Sequence, residues 1–267
     1  MRGRVLVIAG SDSGGGAGIQ ADTKAITALG AFAATAISAL TAQNTVGVHG
    51  VLPVPPDFLR LQIECVLDDL GADAVKTGML DRPEIIEVVA SCLAARDPLP
   101  LVLDPVMIAK NGAVLLAESA LDTLKRALLP LASLVTPNLP EAEILAARPI
   151  ETVDDMRRAA DTLLRFGVPA VLMKGGHLRG DELVDLLVTR DAEHRFASRR
   201  QPTRHTHGTG CTLASAIAAG LSQNMALPDA VRRARDYVQA AIAAAPGFGR
   251  GAGPLDHSVP DPEPGAR

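Results

Sequence analysis

The stretch RVLVIA, residues 4–9, is almost entirely apolar, and a glycine-rich loop follows it from Gly10 to Gly18. A helical pattern then extends to about Leu29. Buried parallel strands are apolar along their whole length, so a strand, a glycine-rich turn and a helix in this order are typical of α/β proteins. The start of the chain therefore predicts a parallel sheet covered by helices.

The same alternation of strand and helix continues along the chain. Further short strands are predicted at residues 33–40, 72–76, 101–103, 133–136 and 170–173, separated by helical windows, one of which follows Pro55 and Pro56. Residues 182–189 and 193–197 predict a hairpin at the sheet edge, and helices are predicted at 212–222 and 228–245. We predict an α/β fold with a mostly parallel sheet in one domain, residues 1–254, and a flexible tail, residues 255–267.

Composition excludes several classes of function. The chain has 267 residues, 48% of them hydrophobic, and a formal net charge of -4 without a clustered basic stripe, so we expect no nucleic-acid partner. No apolar run approaches the roughly 20 residues of a membrane span, and we expect no membrane partner. The 3 cysteines form no C-x-x-C pair and no secretory leader is recognisable, which predicts a reduced, cytoplasmic protein.

An anion site is predicted at His205 to Thr212, HTHGTGCT, which leads into an alanine-rich helical stretch. Gly208 and Gly210 allow a tight turn whose N–H groups face one point, where the helix adds its own free N–H groups and positive dipole end. Cys211 lies on the rim of this cradle, and the positive field is expected to make its thiolate accessible near neutral pH. The alternative is a plain helix start followed by a buried cysteine.

Polar or special residues also follow the predicted strands. They are Asp12, Gln43, Asn44, Gly78, Met79, Asp104, Asn138, Glu141 and Lys174. Ligands of open α/β sheets bind outside the carboxyl ends of the strands, so these residues are expected to converge on one crevice. Turn formation alone would explain Asp, Asn and Gly, but it gives less reason for Lys174 before Gly175 and Gly176.

The absence of three common sequence motifs excludes the reaction types that depend on them. The sequence contains no G-K-[ST] phosphate loop, no G-x-G-x-x-G dinucleotide fingerprint and no G-x-S-x-G elbow. What remains is an anion cradle, one lysine and a few oxygen ligands, a set that suits Mg²⁺ bound partly through water. A cradle, a cation, a metal and a base together indicate phosphoryl transfer from a nucleotide to an alcohol.

Several motifs resemble those of the bacterial hydroxymethylpyrimidine/phosphomethylpyrimidine kinases of thiamine biosynthesis, in the ribokinase-like superfamily. They are residues 9–22 (AGSDSGGGAGIQAD), 39–44 (ALTAQN), 76–80 (KTGML), 104–107 (DPVM), 136–141 (TPNLPE), 173–177 (MKGGH) and 206–212 (THGTGCT). The resemblance extends from about Val5 to Pro254. It implies a three-layer αβα fold and the ATP-dependent conversion of the aminopyrimidine alcohol into its monophosphate and then its diphosphate.

The resemblance also implies roles for individual residues. Cys211 is the expected base, with the N–H groups of Gly208, Thr209 and Gly210 around the transferred phosphate. Lys174 and Thr206 are expected at ATP. Asn138 and Glu141, with Asp104 nearby, are expected to hold Mg²⁺. The expected substrate-binding residues are Gln43, Asp22, Ala17, Met79 and Val106. His205 replaces the asparagine that is common before Thr206 in this family.

Purely structural roles for several residues, and other functions, stay open at this point. In these interpretations Asp12 only caps a turn, Asp22 is a solvated helix residue and Met79 is a core residue. His207 is expected to orient the loop. Pyridoxal or pyridoxine kinase is the second enzyme hypothesis, and a non-catalytic pyrimidine sensor is the third. The family resemblance also suggests a homodimer. Residues 109–113 and the region after Gly176 are candidate lids because glycine-flanked loops beside a site can move.

Overall fold

The computed structural model describes residues 2–107, 116–117, 119–176, 178 and 180–262. Its strands are β1 (Arg4–Ala9), β2 (Phe32–Ile37), β3 (Ala39–Gln43), β4 (Val48–Pro53), β5 (Ala74–Thr77), β6 (Leu101–Leu103), β7 (Leu134–Val135), β8 (Ala170–Met173), β9 (Glu182–Thr189) and β10 (Glu193–Arg199). Its α-helices are α1 (Gly18–Ala28), α2 (Pro56–Asp69), α3 (Pro83–Ala94), α4 (Ala120–Thr123), α5 (Leu139–Ala146), α6 (Val153–Leu164), α7 (Thr209–Ser222) and α8 (Leu227–Ala243). A π-helical turn, Leu124–Leu128, and a 3-10 turn, Leu129–Leu131, follow α4.

Eight strands form one sheet in the order β10-β9-β8-β7-β6-β5-β1-β2. From β8 to β2 all neighbours are parallel, while β9 and β10 are added antiparallel at one edge. The predicted mostly parallel sheet and its edge hairpin are therefore confirmed. Strands β6 and β8 have the bounds expected from the sequence.

Helices cover both faces of the sheet, and the alternation of side chains in β1 shows how. Leu6 and Ile8 belong to a core that also contains Leu59 of α2 and Ile85 of α3. Val5 and Val7 pack on the opposite side, in a core built from α1, α7 and α8. Because successive strand residues point to opposite faces, the apolar run at the start of the chain joins both cores. The predicted three-layer αβα architecture is confirmed.

The single strand predicted at residues 33–40 is confirmed only as far as Ile37, because the chain leaves the main sheet at Ser38. The buried Ser38 hydroxyl donates to the Met79 carbonyl, 2.7 Å between oxygens. Strand β3 then pairs antiparallel with β4 in a separate two-stranded sheet. Gln43 consequently ends a hairpin strand and does not follow a parallel strand, although it still reaches the same crevice. The sequence missed β4 altogether.

The flexible tail predicted for residues 255–267 is wrong for its first seven residues. Leu255 and His257 are buried. The Tyr237 hydroxyl donates to the His257 carbonyl at 2.9 Å, and Arg233 of α8 forms an ion pair with Asp261. Residues 263–267 lie outside the described part of the chain. Among the described helices, none combines the length and the hydropathy needed to cross a membrane.

Candidate active site

A cleft of about 760 Å³ opens at the carboxyl ends of the parallel strands. This volume is within the range of small-molecule sites. Every site residue proposed from the sequence except Asp22 lines it. The lining residues from that set are Ala17, Gln43, Met79, Asp104, Val106, Asn138, Glu141, Lys174, Thr206, Gly208, Thr209, Gly210 and Cys211. The strand-end residues expected in one crevice therefore converge there, except Asn44, which lines a neighbouring cavity.

The predicted cradle forms where α7 begins at Thr209. Gly208 precedes the helix with φ +81°, and a Cβ atom there would lie 1.8 Å from the Gly16 carbonyl oxygen, so only glycine fits. No side chain of the described residues caps α7 by a hydrogen bond. The first-turn amides and the positive end of the helix dipole thus face the cleft and favour an anion there.

Asp12 joins the glycine-rich loop to this cradle. Its carboxylate accepts hydrogen bonds from the amides of Gly14, Gly16 and Ala17 at 2.8–3.1 Å and lies 2.8 Å from His207 Nε2. Burial alone would raise the Asp12 pKa, but the contacts with His207 and the amides hold it below its ordinary value. Asp12 therefore caps the glycine-rich turn, which was the structural alternative for this residue. His207 contacts Asp12 and so orients the loop, as expected.

One end of the cleft contains Gln43 and Met79. The Gln43 side-chain oxygen accepts from the Thr41 hydroxyl at 3.1 Å, and its nitrogen lies 3.3 Å from His207 Nε2. Met79 is 8% exposed and its methyl group would be 3.3 Å from a Cβ at Gly10. Met79 is thus both a core residue and part of the wall. These contacts orient the Gln43 amide on a cleft wall that also contains the apolar Met79 side chain.

The opposite end of the cleft is ionic. Lys174 Nζ lies 2.9 Å from Asp104 Oδ1, which also accepts from the Thr136 hydroxyl at 3.0 Å. Burial is the main cause that raises the Glu141 pKa to about 7, with Asp104 adding to it and Lys174 opposing it. Two carboxylates and a lysine are therefore held close enough to influence one another's charge.

The predicted magnesium residues also form the start of α5. Asn138 Oδ1 accepts from the Glu141 amide at 2.9 Å, and Glu141 Oε2 accepts from the Asn138 amide at 2.8 Å, which is a capping box. Within the described residues, no three His, Cys, Asp or Glu side chains are placed to hold a metal directly. The donor set therefore fits a hard cation bound mainly through water, as Mg²⁺ often is, and does not fit a closed protein cage.

Asp22 is misplaced by both sequence interpretations. It is fully buried, does not line the cleft, and pairs with Lys76, whose Nζ lies 2.9 Å from each carboxylate oxygen. The Ser215 hydroxyl donates to Asp22 Oδ1 at 2.7 Å. Ser215 lies one helical turn after Cys211, on the same face of α7. Lys76, which does line the cleft, is a residue to which sequence reasoning assigned no role.

We expect Lys76→Met to lower the free energy of unfolding by about 3–5 kcal/mol, because it leaves the Asp22 carboxylate buried without a counter-ion. Urea unfolding of the parent and variant measures this loss. The double variant Lys76→Met/Asp22→Leu should recover most of it, since neither charge remains. A single variant within about 1 kcal/mol of the parent would contradict this account of the pair.

Cys211 lies on the cleft wall, but its charge state differs from expectation. Burial raises the pKa of its thiol to about 11, with contributions in the same direction from Asp22 and Asp104, while Lys76 and an amide contact at Gly18 oppose them. The predicted thiolate near neutral pH is therefore wrong for the protein without bound ligands. Removal from water outweighs the opposing effects of the Lys76 ammonium and of the amide contact at Gly18.

The sequence model of the phosphomethylpyrimidine kinase family matches residues 12–256. The chain belongs to this family. A hydroxymethylpyrimidine/phosphomethylpyrimidine kinase of Streptomyces coelicolor is 50% identical over 95% of this chain and 93% of its own length. A thiamine biosynthesis bifunctional protein ThiED of Geobacter sulfurreducens is 51% identical over 96% of this chain, which spans only 52% of that protein.

Solved structures agree with the family assignment. The phosphomethylpyrimidine kinase of Clostridium difficile superposes with a TM-score of 0.79 at 42% identity, over 88% of this chain and 97% of that chain. The ADP complex of Bacillus subtilis pyridoxal kinase gives a TM-score of 0.90 at 35% identity, over 97% and 98%. The complex of Staphylococcus aureus pyridoxal kinase with AMP-PCP and pyridoxal gives 0.89 at 33% identity, over 97% and 94%. The predicted kinase family and the ribokinase-like fold are confirmed.

The two candidate lids fall only partly within the described residues. The candidate at residues 109–113 lies outside the described residues, as do residues 177 and 179 of the second candidate. Arg200 donates to the carbonyls of Gly176, Leu178 and Gly180 at 2.7–3.1 Å. The described residues after Gly176 are thus tied to the loop that follows β10.

Proposed function

We propose that this phosphomethylpyrimidine kinase family member uses ATP and Mg²⁺ to phosphorylate 4-amino-5-hydroxymethyl-2-methylpyrimidine, and then to phosphorylate the resulting monophosphate. The observation that carries the proposal is the order of groups along one cleft. The cradle loop reaches Gln43 through His207, whose Nε2 lies 3.3 Å from the Gln43 side-chain nitrogen, and adjoins Lys174 at Gly210, where a Cβ would lie 3.2 Å from Lys174 Nζ. That order matches an aromatic acceptor, a transferred phosphoryl group and a polyphosphate.

Each part of the cleft has a role in this reaction. The Gln43 amide offers a donor and an acceptor to the aminopyrimidine edge, with Ala17, Met79 and Val106 around the ring. The α7 amides stabilise charge on the transferred phosphoryl group, and Lys174, with Thr206 nearby, neutralises the nucleotide phosphates. Magnesium held through water by Asn138, Glu141 and Asp104 would neutralise further phosphate charge when bound. Cys211 takes the proton of the hydroxymethyl group.

The proposal is tested by supplying ATP with either the aminopyrimidine alcohol or pyridoxal. We expect ADP release with the pyrimidine, and mass spectrometry should detect first the monophosphate and then the diphosphate. Hydroxymethylpyrimidine/phosphomethylpyrimidine kinases of Streptomyces coelicolor and Bacillus subtilis are 50% and 45% identical to this chain, and the Clostridium difficile structure is 42% identical. The pyridoxal kinase structures above are 33–35% identical, which favours the pyrimidine. Preference for pyridoxal, or ring binding without ADP release, would contradict the proposal.

Because burial raises the pKa of Cys211 to about 11, the pH dependence of the alcohol reaction should be steep. Below that pKa the thiolate fraction grows with pH, so kcat/KM should rise about tenfold per pH unit between about pH 6 and pH 9. Steady-state rates in overlapping buffers measure the slope, and Cys211→Ala should remove it. A plateau reached below pH 8 in the parent would show that this thiol is not the base.

We propose that two copies of the chain form a dimer through an apolar surface on the β3–β4 hairpin and α2. Its residues are Leu40 and Leu52, which are paired across the hairpin, and Phe58 and Leu61 of α2, with Leu52 65% and Phe58 57% exposed. Exposed apolar clusters of this kind mark association sites. Sedimentation equilibrium should give a dimer for the parent and a monomer for Leu52→Asp/Phe58→Asp. Ile144→Asp, at an exposed site on α5, is the matched control, and a monomeric parent would contradict the dimer.

We also propose a reducing, cytoplasmic location. The three cysteines are all free thiols, at Cys65, Cys92 and Cys211, as expected where disulfides do not persist.

A further inference from the structure

Residues 247–254, GFGRGAGP, have glycine at every second position and follow the end of α8. We call this segment the glycine strap. It belongs to no helix and to no strand of the main sheet, and the fold alone gives no reason for its regular spacing. Its neighbours lie on both sides, the turn between β3 and β4 on one and the loop before α7 on the other.

Gly251 faces the turn of the hairpin. Its amide donates to the Thr45 hydroxyl at 3.2 Å, and a Cβ at this position would lie 2.0 Å from the Thr45 carbonyl oxygen and 3.1 Å from Val46 Cα. Its φ is not in the left-handed region, so close approach of two backbones requires the glycine here. Thr45 is two residues after Gln43, the residue proposed to hold the substrate ring.

Gly253 faces the loop that leads to the cradle. Its carbonyl accepts from the His207 amide at 3.1 Å, and its amide donates to His205 Nδ1 at 3.2 Å. A Cβ at this position would lie 2.4 Å from that ring nitrogen and 2.7 Å from the Phe248 carbonyl oxygen. The strap is therefore in backbone contact with the hairpin turn and with the cradle loop within three residues.

The chain after the strap is anchored at the first turn of α7. His257 Nε2 lies 2.9 Å from the Thr212 hydroxyl, next to Cys211. The buried Tyr237 hydroxyl holds the His257 carbonyl, and Leu255 is buried. This anchor keeps the strap from moving independently of the helix that carries the cysteine.

We propose that the glycine strap is a positioning segment that sets the separation between Gln43 and the cradle, and so places the acceptor hydroxyl at the point of phosphoryl transfer. The proposal rests on the proposed function. The strap joins the hairpin that orients the ring to the helix start that receives the transferred charge. Gln43 and His207, 3.3 Å apart, are the side chains at this junction. Lys174 instead bonds to Asp104, which accepts from the Thr136 hydroxyl, so these contacts of the nucleotide end do not involve the strap.

Gly251→Ala should force the hairpin turn away from the strap. Misplacing reacting groups by about 1 Å can lower a rate about 100-fold. We therefore expect kcat for the aminopyrimidine alcohol to fall about 10- to 100-fold, while KM for ATP stays within about twofold of the parent because the nucleotide end is not displaced. A change of kcat without a change in ATP affinity separates positioning from a general loss of structure.

Two further variants make the test sharp. Gly50 lies on the same hairpin with an ordinary φ, and a Cβ added there would lie 3.9 Å from the Ala42 side chain. Gly50→Ala should therefore behave as the parent. Thr45→Ala removes the hydrogen bond from Gly251 without adding an atom, and kcat should fall about threefold to tenfold if the contact positions the turn. Thermal unfolding of each variant confirms that the chain folds, and Thr45→Ala keeps the test valid if Gly251→Ala does not fold.

The outcomes are distinct from those of the proposed function. A parent that does not phosphorylate the pyrimidine would remove the proposed function and the role of the strap together. An active parent with an equally active Gly251→Ala variant would overturn the strap inference alone. Parallel losses of kcat and ATP affinity in Gly251→Ala and Thr45→Ala would also overturn it, because they would show a structural role only.

Discussion

Replacing Cys211 with alanine is expected to lower kcat for the aminopyrimidine alcohol by about 100- to 1000-fold, the size of a lost general base. The loss with the monophosphate as acceptor should be less than about tenfold. The first acceptor must release a hydroxyl proton as the phosphoryl group arrives. The second acceptor is a phosphate that is already ionised near neutral pH, so it needs little or no base.

Steady-state rates on the two acceptors, measured with the same enzyme preparation, decide this point. Cys65→Ala, at an exposed cysteine remote in sequence from the cradle, is the matched control and should leave both rates unchanged. Cys211→Ser keeps the geometry of the side chain. Its loss of kcat should likewise be larger with the alcohol than with the monophosphate. Equal losses on both acceptors would indicate that Cys211 acts through the shape of the loop.

Lys174→Met is expected to lower kcat about 100- to 1000-fold with either acceptor, the magnitude typical of losing one preorganised charge-stabilising group. Burial acts to lower the Lys174 pKa, but Asp104 and Glu141 outweigh it and hold the pKa above its ordinary value, so the ammonium stays charged. Without that cation, two carboxylates would face the ATP phosphates. KM for ATP should therefore rise as well.

The matched control for this variant is Lys125→Met. Lys125 lies over the Phe166 ring, 5.5 Å from its centre, and does not line the cleft. Varying ATP at saturating pyrimidine measures both parameters for the two variants. If Lys174→Met kept the kcat and the ATP KM of Lys125→Met, the ionic end of the cleft would not be the phosphate site.

The sequence predicted the main sheet because its strands are short and apolar throughout. Residues 4–9, 101–103 and 170–173 could be placed to the residue, since burial on both faces leaves a continuous apolar run between turn signals. The topology then brought residues from five distant strand ends to one crevice, as expected for an open α/β sheet. Family resemblance supplied the roles that spacing alone could not.

The features that were missed depend on contacts between distant segments. Asp22 is buried only because Lys76, 54 residues later in the chain, neutralises it, and a helical pattern carries no sign of that partner. Burial alternates along β3, but the exposed Leu40 and the buried Thr41 reverse the usual polarity of such a strand, so the sequence pattern did not indicate it. The thiol pKa of Cys211 depends on how much protein surrounds it, which the motif does not report.

The most direct test of the proposed site is a crystal structure with the aminopyrimidine alcohol and a non-hydrolysable ATP analogue bound. We predict that the acceptor oxygen lies about 3–3.5 Å from the γ-phosphorus, within hydrogen-bond reach of Cys211 Sγ, with the ring amino edge on Gln43. We also predict that the γ-phosphate contacts the amides of residues 208–211 and Lys174. A ring bound instead in the neighbouring 590 Å³ cavity between the hairpin turn and the glycine strap, with Cys211 away from the acceptor, would contradict the account.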